Sequence, residues 1–321
     1  MFIRLVRYSL TLLSIFFYND LKKIKSRHKI VSSNLKKRIE SIKFEYSARL
    51  KTHKYFNNKV NNILIKNKTI NFLRNTYIQN IFFIHNRLFI RKELSELKMD
   101  KINWALWKKL LIENDVGNPV RYFLYPKSSG NRIRQVYHIK KFLDYSNINL
   151  FNIKNILEIG GGYGCMAHIF KKISKNCTYL IFDTMEVNFL QYYYLQMNKI
   201  PVVINRIQPG NVCLINKETV LEQFNKINRS NKSSLLIGNW SISEMPIKLR
   251  NSILGKTSNF YYSMISFQEK FENINNLNYF LRYQKKIKKR FFTKIEKLQH
   301  YKKNFLNKND HFYFFSKSKL L

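Results

Sequence analysis

From Asn155 onward, short apolar runs alternate with longer segments whose apolar residues recur three and four positions apart. The short runs read as strands: NILEIG at 155–160, TYLIFD at 178–183, IPVVIN at 200–205, SSLLIGNW at 233–240, NFYYSMIS at 259–266, a run at about 291–299, and HFYFFSK at 311–317. The segments between them, MAHIFKKIS, EVNFLQYYYLQMN, ETVLEQFNKI, 244–256 and 268–290, read as helices. Strands that alternate with helices specify crossover connections and a mostly parallel sheet covered on both faces. The expected fold is therefore α/β: a doubly wound, mostly parallel, seven-stranded sheet of Rossmann-like type. The runs at 291–299 and 311–317 are expected to pair antiparallel at one edge.

Upstream the pattern differs. Residues 19–100 show helical spacing with Lys and Arg between the apolar positions. They read as an N-terminal, basic helical extension. Residues 114–132 hold Gly117, Asn118, Pro119, Pro126 and Gly130, which predicts a structured loop. A helix is expected at 132–146. The domain division that follows is 1–110 for the extension and 111–321 for the α/β domain.

The most informative local feature is Glu158-Ile159-Gly160-Gly161-Gly162-Tyr163-Gly164, where a strand ends and a helix begins. Glycine accepts positive φ and lets a ligand approach the backbone. A helix N-terminus presents unpaired N–H groups to an anion. The dinucleotide fingerprint G-x-G-x-x-G/A fails in this register, because its sixth position from Gly160 is Cys165. A glycine-rich turn required only for strand–helix packing remains the plain alternative.

The spacing present is acid-x-G-x-G-x-G, with Asp183 at the end of the next strand. It resembles the first motif, and the ribose-binding acid, of class I S-adenosylmethionine-dependent methyltransferases. A narrower resemblance spans roughly residues 110–317. LEIGGGYG, FDTMEVNFLQYYYLQ, GNWSISEMP and FYYSM, with VGNP at 116–119, are similar to the sugar O-methyltransferases found in bacterial surface-polysaccharide gene sets. The resemblance implies S-adenosyl-L-methionine as cofactor and a sugar or glycan acceptor, in polysaccharide biosynthesis.

The resemblance also implies roles. Gly160, Gly161, Gly162 and Gly164 would let the methionine part of the cofactor lie along the backbone. Glu158 would orient the loop and the cofactor's ammonium, or else bond the loop's own amides. Asp183 would hold the ribose hydroxyls, or else cap a helix starting near Glu186. Thr184 and Met185 would touch the adenine edge, and Asn239 would complete the cofactor site.

Trp240, Ser241, Ser243 and Glu244 follow a strand end, where doubly wound sheets bind ligands. A sugar hydroxyl attacks an activated methyl only as a base removes its proton. Glu244 is the candidate base, with a first-turn helix acid as the alternative reading, and His138 is the other candidate. No His/Asp/Glu spacing of a metal site occurs, so no metal is expected.

Charge constrains partners less sharply. Lys and Arg number 58 against 19 Asp and Glu, a net +39. Attraction to polyanions is one reading; an AT-rich codon bias that inflates Lys, Asn, Ile and Tyr is the other. An anionic membrane surface or polyanionic glycan is a possible contact. Nucleic-acid methylation is the competing enzyme reading, and neither the Asn/Asp-Pro-Pro-Tyr/Phe nor the Pro-Cys signature supports it. A non-catalytic basic scaffold is the third. The three cysteines are odd in number and form no C-x-x-C pair, which fits a reducing cytoplasm. MFIRLVRYSLTLLSIFFY lacks a small-residue cleavage site and is expected to be a buried or interfacial amphipathic helix, placing the protein in the cytoplasm or at the inner face of the membrane.

Overall fold

The computed structural model of the chain describes residues 69–75, 78–79, 89–229, 231–298 and 309–319. The apolar N-terminal run and most of the expected basic extension lie outside the described residues.

The central sheet has eight strands: β1 (Asn155–Ile159), β2 (Thr178–Phe182), β3 (Val202–Ile204), β4 (Val212–Ile215), β5 (Ser234–Asn239), β6 (Tyr262–Gln268), β7 (Phe291–Lys297) and β8 (His311–Ser318). Their order across the sheet is β3-β4-β2-β1-β5-β6-β8-β7. The six strands from β3 to β6 run parallel. β8 is antiparallel to both neighbours and leaves β7 at the edge, which matches the expected C-terminal pair. The fold is a doubly wound, Rossmann-like α/β sheet.

The count corrects the expected seven. β4 is the added strand, only four residues between Gly210 and Asn216. It sits inside the sheet and is buried throughout. β3, the stretch more legible as a strand, is the edge.

Nine helices are described: α1 (Phe89–Met99), α2 (Trp104–Leu111), α3 (Gly130–Ser146), α4 (Cys165–Ile173), α5 (Met185–Met197), α6 (Glu218–Ile227), α7 (Ser241–Glu244), α8 (Ile247–Lys256) and α9 (Asn276–Ile287). The expected helix at 268–290 is shorter. A hairpin of Lys270–Phe271 and Ile274–Asn275 precedes it, and the Asn275 side chain caps α9 by accepting from the Asn278 N–H at 2.9 Å. The expected helix at 244–256 is broken at Met245–Pro246, where proline forces a new start. The expected loop at 114–132 contains a hairpin of Arg121–Tyr122 and Tyr125–Ser129.

The chain divides into two compact units. The second comprises Ile139–Gly161, Phe170–Asp183 and Val202–Leu321 and contains the whole sheet. Its core is apolar on both faces. On one face Phe142 of α3 meets Tyr262 edge-on at 5.7 Å, and Tyr145 stacks on Phe315 at 5.0 Å. On the other, Phe280 of α9 stacks on Phe267 at 4.3 Å. β2 is buried at every position, the near-continuous apolar run of a strand covered on both sides.

The first unit comprises Met1–His138, Gly162–Ile169 and Thr184–Pro201. An aromatic cluster of Phe72, Tyr163, Tyr193 and Tyr194 fills part of its interior, with Tyr163 and Tyr194 edge-on at 4.9 Å. Charge is buried beside it. The Arg132 Nε donates to the Leu110 carbonyl at 2.6 Å, and Arg134 faces Glu93 at 3.6 Å. The aromatic run of α5 is core at Tyr192, Tyr193 and Tyr194, with Phe189 half-buried.

Candidate functional site

In the second unit the parallel strands β1, β2 and β5 end side by side, because β1 pairs with both others. Register pairs Ile159 with Phe182. The next step sets Gly160 opposite Asp183, one strand spacing or about 4.8 Å apart. The Gly160 N–H donates to the Phe182 carbonyl at 2.9 Å, and the Asp183 N–H to the Ile215 carbonyl at 3.1 Å. These bonds tie the tips of β1, β2 and β4, and the ladder to β1 holds β5 alongside; Gly160, Asp183 and Asn239, all half-buried, form the rim above.

Gly160 has φ +71°, a conformation that costs little only without a Cβ. A Cβ there would lie 2.3 Å from the Ser241 Cβ. At Gly161 a Cβ would lie 2.6 Å from Ile181 and 3.0 Å from a Glu158 carboxylate oxygen. Part of the glycine requirement is therefore the protein's own packing, as the plain alternative held. The result is a stretch of glycine backbone at the mouth of β1 against which the side chains of Ser241, Ile181 and Glu158 pack closely.

Glu158 lies beneath that backbone, 3% exposed, and its Oε2 accepts the Tyr179 hydroxyl at 2.8 Å. Burial, with the nearby Asp183 charge, pushes its pKa up to about 8, although the Tyr179 bond pulls the other way. Tyr179 was not legible as a partner from sequence. It shares a sheet face with Glu158 through the Ile156–Tyr179 pairing, which appears only once strand register is known.

Asp183 is not a helix cap, since the residue at the cap of α5 is Thr184. Thr184 belongs to the first unit, as do Gly162 and Gly164. There Gly162 (φ +55°) accepts from Gln191 Nε2 at 2.9 Å through its carbonyl, and the Gly164 carbonyl accepts the His168 N–H at 3.0 Å. Thr184 accepts the Asn188 N–H at 2.9 Å through its carbonyl.

Beyond β5 the chain turns sharply. Trp240 holds φ +63°, a strained value for a bulky side chain, costing on the order of 1–3 kcal/mol. The turn is fastened by the Trp240 N–H to the Ser266 carbonyl at 2.7 Å and the indole N–H to His311 Nδ1 at 3.0 Å. Trp240 is buried by this. Asn239 Oδ1 accepts the Ser266 hydroxyl at 3.1 Å. The strained turn throws α7 back over β1, where the Ser241 hydroxyl donates to the Ile159 carbonyl.

Glu244 ends α7. It is half-buried, burial raises its pKa to about 7, and its carboxylate has no hydrogen-bond or ion-pair partner among the described residues. It is a first-turn acid of the short α7 itself, as the alternative reading has it, and not of α8, whose cap position is Pro246. Its neighbours are held by Arg250, which sequence reading missed. Arg250 is fully buried; Nη2 donates to the carbonyls of Ser243 (2.7 Å) and Met245 (3.1 Å), and Nη1 to Asn276 Oδ1 (2.9 Å). The carbonyls on both sides of Glu244 are therefore pinned by one guanidinium. Only a fold that returns α8 and α9 to this loop makes that visible.

His138 is fully buried in the first unit. Burial, with the Arg134 charge, holds its imidazole well below the usual histidine range and so neutral. His168 is also buried, with Nδ1 3.0 Å from the Tyr194 hydroxyl. Among the described residues no group of three or more His, Cys, Asp or Glu is arranged to hold a metal ion. All three cysteines are buried and unbridged.

No protein-family model and no curated protein matches the chain. Several solved structures are similar. One is an arsenic(III) S-adenosylmethionine methyltransferase from Chlamydomonas reinhardtii, at 13% identity and TM-score 0.34, over 56% of this chain and 72% of that one. Another is the N-terminal domain of human METTL16 in complex with SAH, at 10% identity and TM-score 0.38, over 58% and 70%. A third is a fibrillarin/Nop5p complex, at 10% identity and TM-score 0.38, over 57% and 79%.

Proposed function

We propose that the chain is an S-adenosylmethionine-dependent O-methyltransferase that methylates a sugar hydroxyl of a surface polysaccharide or its precursor. The observation that carries methyl transfer is the rim of the second unit: positive-φ glycine backbone at Gly160, a carboxylate across from it at Asp183, and the unpartnered Glu244 beyond the next strand. The sugar rests on the resemblance of LEIGGGYG, GNWSISEMP and FYYSM.

The residues fit such a cofactor chemically. A nucleoside needs backbone to lie against and a carboxylate for its two ribose hydroxyls; Gly160 with Gly161 would offer the first and Asp183 the second. When bound, the cofactor supplies an activated methyl on a sulfonium. The remaining work belongs to the chain. Asp183 orients the ribose, Arg250 fixes the loop that carries Glu244, and the Glu244 carboxylate accepts the proton of the attacking hydroxyl. A base with pKa near the working pH is the efficient choice, contributing about 10²–10⁴-fold. Glu244 meets that condition, whereas His138 is enclosed in the first unit's core.

Calorimetric titration with S-adenosylmethionine and its demethylated product tests the cofactor: binding is expected, and no heat at millimolar ligand overturns the reading. Glycan composition in a strain lacking the gene tests the acceptor. One O-methyl sugar should disappear; an unchanged composition removes the sugar and leaves the cofactor standing.

A further inference from the structure

Between Glu272 and Glu296 the sequence contains no Asp or Glu and seven Lys or Arg. The fold sorts them. α9 turns Asn276 and Phe280 inward against the sheet. Helical spacing then carries Arg282, Lys285 and Lys286 to the outer face, and Lys288, Lys289 and Arg290 follow in the turn to β7. All six are exposed, and none forms an ion pair among the described residues. Glu296, the acid that ends the stretch, is taken up by Lys141 and Lys294.

Two apolar side chains stand exposed among these cations: Leu281 at 40% and Phe292 at 60%. At the corner the Lys319 ammonium donates to the Lys288 carbonyl at 2.8 Å and lies 5.1 Å from the Phe292 ring centre. The surface is therefore cationic, unneutralised and studded with two shallow hydrophobic anchors.

We propose that α9 and the turn into β7 dock the protein on an anionic lipid bilayer. Charge complementarity is the main argument. Each Lys or Arg brought to an anionic leaflet strengthens adsorption about fivefold, and exposed Leu and Phe side chains suit the headgroup boundary. Lipid fits better than nucleic acid. Five of the seven cations are Lys, point charges rather than bidentate phosphate readers. Phe292 alone among them offers a ring, whereas single strands are held on successive aromatic platforms. The inward side of α9 is spent on Phe267, so the contact is adsorption by a folded surface and weakens with salt.

The test is co-sedimentation of the full chain with vesicles of phosphatidylcholine alone and of phosphatidylcholine mixed with phosphatidylglycerol. Binding is expected only to the mixed vesicles. Replacing Arg282, Lys285, Lys286 and Lys289 by Gln should weaken it roughly a hundredfold or more, with an unchanged melting curve. Because the whole chain is strongly basic, a second variant removes the same charge elsewhere on the second unit: Lys154, Lys226, Arg229 and Lys248 to Gln. It should bind nearly as the parent does. Equal losses in the two variants, equal binding to both vesicles, or sedimentation with single-stranded RNA but not with vesicles would each overturn the proposal. None of these outcomes depends on the chemistry at the strand ends.

Discussion

Glu93 on α1 and Glu244 at the end of α7 are both pushed up to about 7, in each case chiefly by burial. Their settings differ. Glu93 is 1% exposed and faces Arg134, itself buried, at 3.6 Å. Glu244 is half-buried at the strand-end rim, and no cation or donor meets its carboxylate among the described residues. A raised carboxylate is thus not by itself the mark of a reactive one. In the first unit the shift is a by-product of packing charge into an interior. In the second it sits on a group held in place through its neighbours' carbonyls and left available.

Substitution separates the two. Glu244→Gln should lower turnover by about 10²–10⁴-fold while sparing stability and cofactor binding; normal turnover in a methyl-transfer assay removes Glu244 as the base. Glu93→Ala removes the carboxylate that faces the buried Arg134 and should cost about 3–5 kcal/mol of stability. Chemical denaturation checks this, and a loss below ~1 kcal/mol would mean the two glutamates are less different than their surroundings. Asp183→Ala should weaken cofactor binding by about 1 kcal/mol or more, since it strands two ribose hydroxyls. Unchanged affinity in calorimetry would move the ribose away from the tip of β2.

The smallest effect sharpens the comparison from the side of pH. Glu158 is buried in its protonated form, with a folded pKa of about 8 above the ordinary carboxylate value. Its contribution to stability is fully present below about pH 4 and is lost as pH climbs toward 8. Glu158→Gln mimics the protonated form. Between pH 5 and 8 the parent should therefore lose stability relative to the variant; parallel denaturation curves across that window would show that Glu158 is not buried as described.

Much of the second unit was legible because the signals are local. An apolar run ending in glycines is a strand followed by a tight turn, and Asp183 could be assigned to a strand tip by counting along TYLIFD. β4 was not legible, because four apolar residues carry too little periodicity to stand apart from a turn. The hairpin at 270–275 was hidden in the same way, since its residues suit helix as well as strand and a two-residue ladder leaves no repeat to read. Among site residues, the roles of Arg250 and Tyr179 were invisible, as each acts on residues that lie near it only after folding.

What the amino-acid order alone determined is the class of fold and the identity of the strand tips, since alternation and glycine punctuation act over a few residues. Only the tertiary structure decided which carboxylate is enclosed with a hydroxyl, which faces an arginine and which stands free. That depends on strand register and on helices returning from far along the chain, and the desolvation each group feels is a property of that packing.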